Sequence, residues 1–188
     1  MRNIIFTIGS TALVVLLFVA CTSATDNSPI PTGPIDKSKV DITKTRILID
    51  KSDYRLHLYE GDSLLKSYPC VFGPNAVDDK MREGDGCTPE GVFHVRTKYA
   101  HASWSRFIWV DYPNEDSWVK FNKRKTEGMI PPDSRIGGEI GIHGVPDGYD
   151  HIIKEKQNWT LGCISLTTDD ILELYELVQD GSEIKIRK

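Results

Sequence analysis

Arg46-Ile47-Leu48-Ile49-Asp50-Lys51-Ser52-Asp53-Tyr54-Arg55-Leu56-His57-Leu58-Tyr59-Glu60-Gly61-Asp62 holds two runs in which apolar and polar residues alternate, each closed by turn formers. Alternation with a period of two puts the apolar side chains on one face, as a half-buried strand requires. Lys51-Ser52-Asp53 and Glu60-Gly61-Asp62 supply the turns, and Leu64-Leu65-Lys66-Ser67-Tyr68-Pro69-Cys70-Val71-Phe72 supplies a third run. Short turns between such runs predict an antiparallel meander, so the fold class reads as mainly β.

Downstream, Gly73-Pro74-Asn75 and a charged segment lead to Gly84-Asp85-Gly86-Cys87-Thr88-Pro89-Glu90-Gly91-Val92-Phe93-His94-Val95. Three glycines and a proline within eight residues describe a tight loop that delivers a strand. Near the end, Thr167 to Val178 has a hydroxyl cap, acids in its first turn and one apolar face, which predicts one late α-helix. Asp180-Gly181 stops it, and Glu183-Ile184-Lys185-Ile186-Arg187 alternates as a closing strand.

Upstream, Met1-Arg2-Asn3 is followed by an almost uncharged apolar run from Ile4 to Ala20, then by Cys21 and polar residues. We read 1–20 as an export signal rather than part of the fold. Val19-Ala20 places small residues directly before Cys21, as in bacterial lipoprotein signals, although Phe18 stands where Leu is usual. Cleavage before Cys21 and lipidation of its thiol follow from that reading; a retained membrane anchor is the alternative. Residues 21–43 are rich in Ser, Thr, Pro, Asp and Gly, a composition that buries too little surface to offset ordering entropy. They read as a flexible tether, and 44–188 as one domain with its own core.

The formal net charge of the chain is −4, with no basic tract, which argues against nucleic acid as a partner. No cluster with metal-ligand spacing occurs, and no cofactor is implied. Once Cys21 is assigned to lipid and Cys163 to chemistry, Cys70 and Cys87 remain. They are two buried small residues or, in an oxidising compartment, a disulfide. Trp104, Trp109, Tyr112 and Trp118 lie between Lys98 and Gly141. They fill the core, brace loops or line a groove.

The chemistry concentrates between His143-Gly144 and Trp159-Thr160-Leu161-Gly162-Cys163-Ile164. A cysteine attacks as its thiolate, and a neighbouring imidazole is one means of forming it near neutral pH. His143 and Cys163 supply such a pair. Gly162 next to Cys163 lets backbone N–H groups approach a reacting carbonyl, so the two form a candidate oxyanion hole without any side chain. Acyl transfer is the reaction class. A small buried cysteine beside a turn is the plainer alternative.

The segment resembles the signature of the L,D-transpeptidase catalytic domain (YkuD-type), a His followed after roughly fifteen residues by Ser or Thr, His, Gly and Cys. Here 16 residues separate His143 from Thr160. The order of a Tyr-Pro strand, a Phe-Gly turn, Gly-Asp-Gly and Thr-Pro-Glu-Gly resembles the amino-terminal half of the same family. The likeness therefore covers the region from Lys44 to the end. Leu161 stands where a second His is common, and Ser165 where Asn or Arg often follows; Trp-Thr-x-Gly-Cys-Ile resembles one branch of the family.

The resemblance implies a mixed β-sandwich or open barrel, Cys163 as nucleophile, His143 as general base and acid, and the Gly144 carbonyl orienting the His143 ring. It also implies Gly162 as an oxyanion-hole N–H, with Thr160, Leu161 and Ser165 near substrate. Peptidoglycan peptide stems would be the partner, and Arg82, Arg106, Arg135 and Lys154 are candidates for their carboxylates unless each is a solvated surface charge. A monomer exported to the periplasm and lipid-anchored to a membrane would suit that substrate. Three functions fit: a transpeptidase releasing D-Ala from tetrapeptide stems, a hydrolase on the same scaffold, or a non-catalytic wall-binding lipoprotein that needs neither His143 nor Cys163.

Overall fold

The computed structural model describes residues 33–188; the apolar run Ile4–Ala20 and Cys21 lie outside them. The meander forms as β1 (Thr45–Asp50), β2 (Arg55–Glu60) and β3 (Ser63–Pro69). The remaining strands are β4 (Gly91–His101), β5 (Ser105–Val110), β6 (Gly141–His143), β7 (Ile164–Ser165) and β8 (Glu183–Arg187). Together they make an eight-stranded sheet in the order β3-β2-β1-β8-β4-β5-β6-β7. Pairing is parallel for β1 with β8 and for β6 with β7, and antiparallel elsewhere.

The long strand β4 decides the shape. Gly91–His94 pair with β8, whereas Val95–His101 pair with β5 across a register irregularity between Val95 and Thr97. One strand thus serves both halves, and an extra residue in a ladder bends and twists it. The fold is mainly β, a sheet curled into an open barrel rather than two separate sheets joined only by loops.

The alternation in sequence becomes the core. Ile47 and Ile49 of β1, Leu56 and Leu58 of β2, and Ile184 of β8 are fully buried, with Ile186 nearly so. Burying each such side chain stabilises the fold by about 2 kcal/mol. The predicted late helix is α3 (Thr168–Glu176), capped by the Thr167 hydroxyl on the Asp170 N–H, and it lays Ile171 and Leu174 against the core and packs on β5.

Two features depart from the sequence reading. A further helix, α1 (Glu115–Thr126), crosses the region taken only as aromatic-rich connection; Asn114 caps it, Glu115 and Asp116 sit in its first turn, and Lys123, Arg124 and Lys125 in its last. Its caps and charges were legible, but it buries only Ser117 and Phe121, so it lacks the apolar stripe by which α3 was read. A single turn, α2 (His151–Lys154), also forms. Secondly, the end of the segment read as tether lies along the domain: the Ile35 N–H donates to Glu173 Oε1 (2.9 Å), the Asp41 N–H to Glu60 Oε1 (3.1 Å), and Ile35 and Val40 pack on the core.

Candidate active site

Three loops meet at the end of the sheet. The first is 71–75: Phe72 donates its N–H to Asn158 Oδ1 (2.9 Å), and its carbonyl accepts the N–H groups of Trp159 (3.0 Å) and Thr160 (3.2 Å). Val71 and Ser165 exchange backbone bonds at 3.0 and 2.9 Å. The second is the glycine-rich loop, which the Asp85 carboxylate ties together by accepting the N–H groups of Met81 (2.7 Å), Arg82 (2.9 Å) and Cys87 (3.0 Å) and the Lys80 ammonium (3.0 Å). Burial works to raise the pKa of this carboxyl, but those donors prevail and hold it below the usual range. Lys51, fully buried, secures the same loop by donating to the carbonyls of Asp78 (2.7 Å) and Thr88 (3.3 Å) and pairing with Glu90 (2.7 Å).

The third loop carries Cys163 and rests on the second. Thr88 Oγ1 donates to the Gly162 carbonyl (2.9 Å), and a Cβ on Gly162, whose φ is +135°, would lie 2.6 Å from the Cys87 carbonyl oxygen. Only glycine accepts that conformation and that approach together. The Thr160 hydroxyl then closes the loop on itself, donating to the Cys163 carbonyl (2.7 Å) while accepting the Gly162 N–H (3.2 Å). Hence the expected role of Gly162 as oxyanion donor is corrected, because its N–H is already committed. Among the described residues the Cys163 N–H has no acceptor.

His143 ends β6, and only 1% of its surface is exposed. Its Nδ1 lies 2.7 Å from the Gly144 carbonyl oxygen, as the resemblance implied. A carbonyl can only accept, so Nδ1 carries the proton of the neutral ring and Nε2 keeps a lone pair. The Gly144 N–H donates to the Trp104 carbonyl (3.1 Å), and a Cβ there would meet that oxygen at 2.8 Å and Ile171 Cγ2 at 3.0 Å. Glycine at 144 thus lets strand, hairpin and helix converge behind the imidazole.

His143 and the Cys163 thiol are both held toward their uncharged forms. Burial pulls the His143 pKa down to about 4; the bond to Gly144 works against this and nearby His101 adds to it. Burial pushes the Cys163 thiol up, against a backbone bond from Gly141 and the Lys80 charge. The thiol donates to the Glu139 carbonyl at 3.5 Å. Burial therefore disfavours a standing thiolate–imidazolium pair.

His143, Cys163 and Leu161 line one open cleft of about 1520 Å³. Leu161 is 87% exposed at its rim. Ser165 is fully buried and outside the lining, its hydroxyl directed to the Gly144 carbonyl (3.5 Å), so it backs the His143 support rather than touching substrate. Thr160, also buried, does lie in the cleft lining and shapes the Cys163 loop. Trp104, Trp109 and Trp118 line the cleft, whereas Tyr112 is a core residue bonded to the Ile136 carbonyl (3.2 Å). Of the four cations considered, Arg135 alone reaches the cleft, where it pairs with Glu83 (3.0 Å); Arg82, Arg106 and Lys154 are not in its lining.

The Cys70–Cys87 disulfide does not form: both thiols are free and buried. Cys70 points into the core cluster, whereas Cys87 is held by its loop, its thiol donating to the Asp85 carbonyl (3.6 Å) and its backbone bridging to Asn75. Trp104 is among the aromatics that the sequence offers for a groove, without a mark of its own, whereas Asp85 and Lys51 are not singled out there. Asp85, set between two glycines, carried a usable signal; a lysine in a turn carried none.

None of the curated proteins matches the chain. Among solved structures, the helical cell shape determining protein Pgp2 of Campylobacter jejuni is similar at 23% identity and a TM-score of 0.57, covering 77% of this chain and 47% of its own. Bd1075 of Bdellovibrio bacteriovorus is similar at 22% identity and 0.54, covering 77% and 48%. An L,D-transpeptidase of Enterococcus faecium is similar at 16% identity and 0.50, covering 79% and 50%. The chain thus spans about half the length of these proteins, and the likeness is one of fold. The L,D-transpeptidase catalytic domain (YkuD) matches residues 44–186, and with that span of the sequence accounted for, the chain belongs to the L,D-transpeptidase catalytic domain family.

Proposed function

We propose that the chain is a cysteine acyltransferase of peptidoglycan, an L,D-transpeptidase acting on tetrapeptide stems. The observation that carries the reading is the pinned His143 ring: its Nδ1–H is held by the Gly144 carbonyl, and the lone pair of Nε2 is left for a cleft shared with Cys163. In the first step the Cys163 thiol passes its proton to Nε2 as sulfur attacks the carbonyl that precedes the terminal D-Ala. The Cys163 N–H faces the oxyanion, the C–N bond breaks, and the imidazolium returns the proton to the departing amine of D-Ala. An acceptor amine then attacks the thioester, its proton passes through His143, and the thiol is regenerated. Water in place of the amine would give hydrolysis.

The test is to incubate residues 33–188 with disaccharide-tetrapeptides and weigh the products. Cross-linked dimers with loss of D-Ala are expected from wild type, and unchanged stems from Cys163→Ala. Conversion by Cys163→Ala would overturn the reading; tripeptides without dimers would make the chain a hydrolase. We also propose export to the periplasm and lipid anchoring through Cys21, supported by the apolar run that ends there. Cys21→Ala should abolish labelling by a radiolabelled fatty acid.

A further inference from the structure

The His143 ring lies face to face with Trp104, centroids 4.3 Å apart and planes 22° from parallel. Phe107 is parallel but offset at 5.8 Å, and Trp159 presents an edge at 5.5 Å, so among the described residues Trp104 makes the close face contact. The backbone of Trp104 holds the other side of the arrangement, its carbonyl accepting the N–H groups of Gly144 (3.1 Å) and Arg106 (2.7 Å). Its own placement comes from His101, which stacks on the far face at 4.3 Å and 7° and whose Nδ1 accepts the Trp104 and Ser103 N–H groups at 3.2 Å each. One hairpin therefore fixes both the ring that faces His143 and the glycine whose carbonyl orients it.

The chemistry asks a contradictory thing of this imidazole. Burial keeps it neutral at rest, yet each proton transfer must make it a cation within the same dry site. An indole face is the strongest aromatic partner for a cation, and its attraction appears only when the charge does. We propose that Trp104 is a positioning residue of the reaction, which holds the His143 ring in plane and stabilises its imidazolium form during proton transfer from Cys163. The inference rests on His143 being the base for Cys163. The other groups that act on the pair are His101 behind the indole, Glu139 and Lys80 near the thiol. Nothing anionic is among the influences on the ring: the Gly144 carbonyl favours its cation, and the indole face adds to that support.

Alkylation of Cys163 by iodoacetamide tests this without any stem substrate. The thiol proton goes to His143, the C–S bond forms and iodide leaves. Followed by mass at Cys163, Trp104→Leu should be slowed on the order of tenfold at pH 7, the size of a desolvated cation–π contact. The deficit should narrow toward pH 10, where thiolate forms without a base. Trp104→Phe, which keeps a face of similar placement and folds more readily, should recover most of the rate. A deficit constant across pH, a Phe variant no faster than Leu, or no deficit at pH 7 would each overturn the proposal. Should the alkylation pattern hold while stems remain unchanged by wild type, the substrate assignment fails and the role of Trp104 stands.

Discussion

Holding His143 neutral has a consequence for stability that acid should expose. Its pKa falls from 6.5 to about 4 through burial. The unfolded chain thus binds a proton at this site more readily than the folded one, so stability declines as pH drops below 6.5 and levels off below about 4. The gap between those two values is worth about 3 kcal/mol, a large fraction of the stability of a domain this size. Urea unfolding of residues 33–188 at pH 7, 5.5 and 4, for wild type and His143→Gln, isolates it, since every other titrating group is shared. Wild type should lose about 3 kcal/mol more than the variant across that range, a relative midpoint shift of roughly 1.5 M urea. Activity should follow the same ring, its acid limb falling near pH 4 rather than near 6.5. Parallel stability curves for the two proteins, or an acid limb near 6.5, would show that the imidazole is solvated and would refute the argument from burial.

Other substitutions test the supports of the site. Gly162→Ala adds a Cβ 2.6 Å from the Cys87 carbonyl at a φ of +135°, so it should cost about 1–3 kcal/mol in thermal unfolding and suppress turnover; an unchanged melting temperature with full activity would mean the loops do not depend on that approach. Because Cys70 and Cys87 are free and buried, non-reducing and reduced intact masses should agree, and an alkylating reagent should reach both thiols only after denaturation. Ser165→Ala removes a hydroxyl 3.5 Å from the Gly144 carbonyl, a long bond, and should lower kcat less than threefold with KM unchanged; a rise in KM would restore Ser165 as a substrate contact.

What the sequence made legible, and what it hid, divides along the range of the forces involved. β1, β2, β8 and α3 were readable because their side chains report on burial at the local period of their own backbone: Ile47, Ile49, Ile184 and Ile186 alternate, and Ile171 and Leu174 share one helical face. His143 and Cys163 were readable because the residues beside them, Gly144 and Gly162, answer to close approaches that no other residue tolerates. The parts that escaped are joined across the chain. Ser165 lies 21 residues along the chain from the Gly144 carbonyl that its hydroxyl approaches, with α2 between them. Trp104 lies some forty residues before the ring it stacks on, with nothing in its local pattern to single it out from Trp109 or Trp118. Leu161 shows the converse: a large apolar side chain on a four-residue turn closed from inside by the Thr160 hydroxyl has no core within reach, so the closure that fixes Cys163 also drives its neighbour out to the cleft rim.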